Sequence, residues 1–160
     1  MSYNDALMKC ASLCAKAEHS RVELIGKMCK WGIQKDIARL VISRLEEDGY
    51  INDERFAHAF VYDKFNISCW GRNKIRYYLR INGIDDNVAD EAMAGIDGEE
   101  YVATLKRILS AKKSTLSEKD PYKIKMALCK YAVSRGFEAS LASKTVNGMI
   151  AGGDDIEPYE

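Results

Sequence analysis

Three arginines, Arg72, Arg76 and Arg80, stand one helical turn apart with Lys74 among them, and no acidic residue lies between Trp70 and Gly83. Guanidinium groups at i, i+4 and i+8 share one helix face, where like charges cost an isolated helix about 0.2–0.5 kcal/mol per pair. Such a stripe is suited to holding anions, either phosphates or an acidic protein surface, unless the acids at 85–91 neutralise it from within. An external partner is the favoured reading. Tyr77, Tyr78 and Trp70 occupy the same segment, and cations interleaved with rings suit single-stranded nucleic acid, whose bases stack while its backbone follows the charge. Aromatics at helical spacing beside Ile75 and Leu79 are more often core, so Tyr78 is assigned to packing, together with Tyr50, Phe56 and Phe60.

Further cations extend this set. Arg21, Arg72 and Lys125 each lie eleven residues before a glycine, at Gly32, Gly83 and Gly136. A cation near a helix start works against the helix dipole, which favours a role in binding. The formal net charge is +0, but it is segregated. Residues 84–100 hold seven acids and no Lys or Arg, whereas 106–130 hold eight Lys or Arg, including Lys106, Arg107, Lys112, Lys113 and Lys123, against Glu118 and Asp120. The predicted partner- or DNA-binding set is therefore Arg21, Arg72, Lys74, Arg76, Arg80, Lys106, Arg107, Lys112, Lys113, Lys123 and Lys125. A local field of this kind matters more to association than the total charge.

The sequence offers little for catalysis. His19 and His58 are the only histidines, no carboxylate pair sits in the apolar setting that raises a general acid's pKa, and no glycine-rich phosphate loop follows a strand. His58 reads as a helix-face residue. Five cysteines, Cys10, Cys14, Cys29, Cys69 and Cys129, form no CxxC pair and read as reduced thiols. Cys10, Cys14 and His19 are set aside as metal ligands, because a structural zinc site needs a fourth ligand. No cofactor, no metal and no enzymatic activity are expected.

Helices must position these residues. Gly32, Gly83 and Gly136 each close one helical pattern and open another in the same register, at a period of roughly 50 residues. Leu24, Ile75 and Leu128 lie eight before the glycine, and Met28, Leu79 and Ala132 four before. Ile37, Val88 and Leu141 follow at plus five, Ile42, Met93 and Val146 at plus ten, and Leu45, Ile96 and Met149 at plus thirteen. Each glycine is followed by an apolar residue, Ile33, Ile84 or Phe137, as in a Schellman ending. Ser20-Arg21-Val22-Glu23 is a capping box. No segment alternates with period two, so the chain is predicted all-helical, with helices at about 5–17, 21–31, 35–48, 53–65, 72–82, 86–95, 98–113, 121–135 and 139–150. They group into an elongated tandem array of three three-helix repeats, 1–50, 51–96 and 97–151, followed by an acidic tail at 152–160 expected to be disordered. With no signal peptide and no apolar run of membrane-span length, a soluble cytoplasmic protein, a monomer, is expected.

Three strings carry a likeness to a known family. Ser20-Arg-Val-Glu-Leu24, Gly49-Tyr-Ile-Asn-Asp-Glu-Arg-Phe-Ala57 with Phe60-Val61, and Gly71-Arg-Asn-Lys-Ile-Arg-Tyr-Tyr-Leu-Arg-Ile-Asn-Gly-Ile84 closely resemble the bacterial RecX family. The Gly49–Ala57 string is the most specific, and beyond about residue 96 only the repeat register carries the resemblance. It implies a modulator of the RecA recombinase in DNA repair, homologous recombination and the SOS response. Such a modulator would be a curved array of three-helix repeats lying in the groove of the RecA filament on single-stranded DNA, and would restrain its growth, ATP hydrolysis and strand exchange. The competing reading is a stand-alone nucleic-acid-binding module with helix-turn-helix-like repeats.

Overall fold

The computed structural model describes residues 1–151, so the acidic tail at 152–160 lies outside the described residues. Among them the chain forms nine helices and no strand. These are α1 (Tyr3–Lys16), α2 (Arg21–Lys30), α3 (Lys35–Glu47), α4 (Asp53–Asn66), α5 (Arg72–Ile81), α6 (Asp86–Met93), α7 (Gly98–Ser114), α8 (Pro121–Ser134) and α9 (Ala139–Ala151).

Local chemistry sets the ends. The capping box on α2 forms as the sequence requires: the Glu23 amide donates to Ser20 Oγ at 3.0 Å, and the Ser20 amide donates to Glu23 Oε1 at 3.0 Å. Gly32, Gly83 and Gly136 have φ of +85°, +77° and +100°. At each, the amide of the next residue reaches back over the last turn: Ile33 to Met28 O at 2.9 Å, Ile84 to Leu79 O at 3.0 Å and Phe137 to Ala132 O at 3.0 Å. That is the Schellman bond, made three times in one register. Gly49 ends α3 in the same way, with φ of +80° and a bond from the Tyr50 amide to Leu45 O at 2.8 Å.

The repeated apolar positions form the core. Leu24, Ile75, Leu128, Met28, Leu79 and Ala132 are all fully buried, and Ile33, Ile84 and Phe137 nearly so. Burying a large aliphatic side chain is worth about 1.5–3 kcal/mol, so each glycine-linked helix pair is anchored on both sides of its turn. Two expected core residues are not: Tyr78 is 37% and Tyr50 40% exposed, whereas Phe56 is buried. Both tyrosines sit on helix or turn faces whose opposite side carries the burial, Leu79 and Ile51.

The contacts divide the chain into two compact units. One comprises Met1–Tyr62 and Arg76–Met93; the other comprises Asp63–Ile75 and the described chain from Ala94 onward. In the first, α1 and α2 pack on α3 around Ala6, Cys10, Leu24, Met28, Val41 and Leu45. In the second, α7, α8 and α9 pack on one another, and Tyr101, Leu105, Leu109, Leu128, Phe137 and Val146 are buried.

Candidate nucleic-acid and partner interface

The arginine stripe of α5 is ion-paired within the fold. Arg72 Nη1 pairs with Glu138 Oε2 at 3.1 Å, Arg76 with Asp90, and Arg80 Nε with Asp86 Oδ1 at 2.9 Å. Neutralisation from within by the acids at 85–91 thus holds for Arg76 and Arg80, and Glu138, just before α9, adds a partner for Arg72 that the sequence did not indicate. Asp86, in turn, is held below the usual carboxylate range by the hydrogen bond from Arg80. Arg21 is committed as well, reaching Glu46 Oε2 at 2.9 Å and Asp53 Oδ1 and Oδ2 at 3.0 and 2.9 Å. In the same string as Asp53, Arg55 donates to Gly49 O at 2.8 Å and pairs with Glu18 at 3.0 Å. These motif residues tie the α3–α4 turn to α2 and to the connection between α1 and α2.

The remaining predicted cations are placed otherwise. Lys106, Arg107, Lys112 and Lys113 are on α7, Lys123 and Lys125 on α8, and none is in an ion pair among the described residues. Lys112 Nζ lies 5.1 Å from the Tyr131 ring centroid, and Arg107 Nη1 is 3.8 Å from Cys69 Sγ. Lys74 Nζ stands 4.5 Å from the Trp70 ring centroid. The structure thus separates the set into an internally neutralised group, Arg21, Arg72, Arg76 and Arg80, and a group left to meet solvent or a partner.

A polar joint beneath α5 was not visible in the sequence. Tyr101 is fully buried; its hydroxyl donates to Glu138 Oε1 at 2.6 Å and accepts from the Arg72 amide at 2.9 Å. The Arg72 guanidinium carbon lies 3.8 Å from the Tyr101 ring centroid, and Phe65 and Phe137 flank that ring. Burial pushes the Tyr101 phenol up, and the bond to Glu138 adds to it. Burial alone would raise Glu138, but the Tyr101 hydroxyl, its own amide and Arg72 outweigh that and hold it below its ordinary value. Next to this joint the backbone of Gly71 meets that of Gly136: the Gly71 amide donates to Arg135 O at 2.8 Å and the Asn73 amide to Gly136 O at 2.9 Å. A Cβ on Gly71 would lie 2.4 Å from the Gly136 carbonyl carbon, and one on Gly136 would lie 2.4 Å from Lys74 Cβ. The sequence marked Gly136 only as a helix ending; its approach to Gly71 is a long-range fit without a local signature.

His58 sits on an exposed helix face, with Nδ1 2.8 Å from Glu54 O. Cys10 is buried, which pushes its thiol up to about 11, and all five cysteines are free thiols. No helix among the described residues is long and apolar enough to cross a membrane.

Residues 52–93 match the family model of the second three-helix domain of RecX. Over 158 residues the chain is 28% identical to the regulatory protein RecX of Chlorobium limicola, covering 98% of this chain and 96% of that one. The chain is similar to regulatory proteins named RecX. The regulatory protein RecX of Clostridium perfringens strain 13 is 26% identical over 136 residues, which cover 84% of this chain but only 63% of the relative. Among solved structures, a crystal structure of regulatory protein RecX aligns with a TM-score of 0.81 at 15% identity, over 91% of this chain and 73% of the other. RecX from Lactobacillus salivarius aligns with a TM-score of 0.75 at 19% identity, over 92% and 96%. At those identities the two structures establish the shared all-α helical-repeat fold. The relatives are regulatory proteins by the names they carry.

Proposed function

We propose that this chain is a modulator of the RecA recombinase that binds the RecA filament on single-stranded DNA and restrains its growth, ATP hydrolysis and strand exchange. The observation that carries the reading is the RecX likeness over 98% of the chain. The cations of α7 and α8 that lack internal ion pairs support contact with a polyanion, while a formal net charge of +0 disfavours tight binding to naked DNA. The segments 1–50, 51–96 and 97–151 act as three three-helix repeats of a cytoplasmic monomer, offering neighbouring helix faces to one large partner.

Co-sedimentation with preformed RecA filaments, beside single-stranded DNA alone, tests this. The chain is expected to pellet with filaments at concentrations where DNA alone retains little of it, and substoichiometric amounts are expected to lower DNA-dependent ATP hydrolysis. Equal retention on bare DNA, with hydrolysis and strand exchange unaltered, would instead assign a stand-alone nucleic-acid-binding module.

A further inference from the structure

Four cations converge on the short connection between α4 and α5, residues 67–71. Lys64 and Lys74 hold their ammonium groups 4.8 and 4.5 Å from the centroid of the Trp70 ring. Arg107 rests against Cys69, with Nη1 3.8 Å from its sulfur, and Arg135 donates to the Ser68 carbonyl. Three successive residues of one loop are thus each in contact with at least one cation, and the loop itself carries no acid. Of the acids on adjoining helices, Glu138 is engaged by Arg72 and Tyr101, while Asp63 and Glu100 are in no ion pair with Lys74, Arg107 or Arg135. Two ammoniums on one ring stand within about 10 Å of each other, a separation at which 0.1 M salt screens an interaction between exposed charges only in part.

We propose that this loop is a contact site for single-stranded nucleic acid, in which Lys74, Arg107 and Arg135 meet backbone phosphates and Trp70 takes a base. The chemistry of the pairings is interchangeable. A lysine held over an indole gains about 0.5–1 kcal/mol at an exposed site, less than a charge-assisted bond to a phosphate oxygen provides. When Lys74 turns to a phosphate, it bares a ring face, and stacking of a base on an aromatic ring is worth about 1–3 kcal/mol. A duplex keeps its bases stacked within the helix and cannot use the ring. An acidic peptide would use the cations and leave the ring idle, so a single strand satisfies both.

The site rests on the nucleic-acid part of the function proposed above, but its test needs no recombinase. The chain has two tryptophans, Trp31 and Trp70, so Trp31→Phe leaves Trp70 as the sole indole reporter. Titration of that protein with a dT oligonucleotide of about 20 residues is expected to quench its fluorescence saturably. Lys74→Gln with Arg107→Gln should weaken binding on the order of tenfold and make the log–log salt dependence shallower by about 1.4, near 0.7 per lost phosphate contact. Lys74→Gln alone serves should the double variant melt early, and Lys74→Arg is expected to keep the parental affinity. No quench by the oligonucleotide, a quench by polyglutamate alone, or parental affinity and slope in a folded Lys74→Gln protein would each overturn the site. A quench in a chain that ignores RecA filaments would keep the site and remove the regulator; filament binding without the quench would do the reverse.

Discussion

At the residue scale, glycines divide into those the fold requires and those, such as Gly26, that it does not. Gly26 lies inside α2, exposed, with nothing within 4 Å of where a Cβ would stand. Replacing it by alanine removes unfolded-state freedom without meeting a neighbour, so Gly26→Ala is expected to raise stability by about 1 kcal/mol. Gly71 and Gly136 are the opposite case. A Cβ on either would lie 2.4 Å from a neighbouring heavy atom, and Gly136 holds φ at +100°. Gly71→Ala and Gly136→Ala are each expected to cost about 2 kcal/mol or more, from overpacking and, at 136, backbone strain. Urea unfolding of the three variants, read at constant m, checks both directions together.

At the element scale, the start of α9 is joined to α5 and α7 through Glu138. Its carboxyl is held below its ordinary 4.5 in the fold. A depressed carboxyl contributes stability that is complete above the unfolded pKa and is lost as pH falls through the folded one. The parent is therefore expected to lose melting temperature as pH drops below 4.5, and Glu138→Gln, lower at neutral pH, should show a flatter decline over that range. Thermal melts across the acid range read this, and parallel declines would remove the linkage from Glu138. The helices themselves were legible because their signals are local: apolar spacing, the Ser20–Glu23 box and a glycine followed by an apolar residue all act within about two turns. What joins them was not. Glu138 is 66 residues from Arg72 and Gly136 65 from Gly71 in sequence, and no periodicity encodes a pairing that distant. The partners of α5 were legible only in part: Asp86 and Asp90 lie in the acidic 85–91 window, whereas Glu138 is remote from Arg72 in sequence. Tyr78 and Tyr50 were misassigned because a ring beside a core position does not say which way the helix turns it.

At the scale of the whole molecule, charge is sorted more sharply than the sequence alone indicated. Arginines of α2 and α5 are matched to acids, and lysines of α7 and α8 are not. Filament binding should therefore depend on the second group. The variant Lys106→Gln, Lys113→Gln, Lys123→Gln, Lys125→Gln is expected to keep the parental melt and to lose affinity for RecA filaments, with a weaker salt dependence. Arg76→Gln with Arg80→Gln should lose less affinity, and because exposed ion pairs contribute little its melt should stay near the parent's. Co-sedimentation over a salt series compares them, and equal losses would place the partner on α5 instead. The glycine endings also bear on how this chain can change over generations. Every single-base substitution in a glycine codon that yields another amino acid adds a Cβ, and asparagine, the side chain that best tolerates the left-handed turn after glycine, is two substitutions away. Gly32, Gly49, Gly83 and Gly136, all at positive φ, are therefore positions where aspartate alone among the single-base neighbours of glycine is suited to the turn.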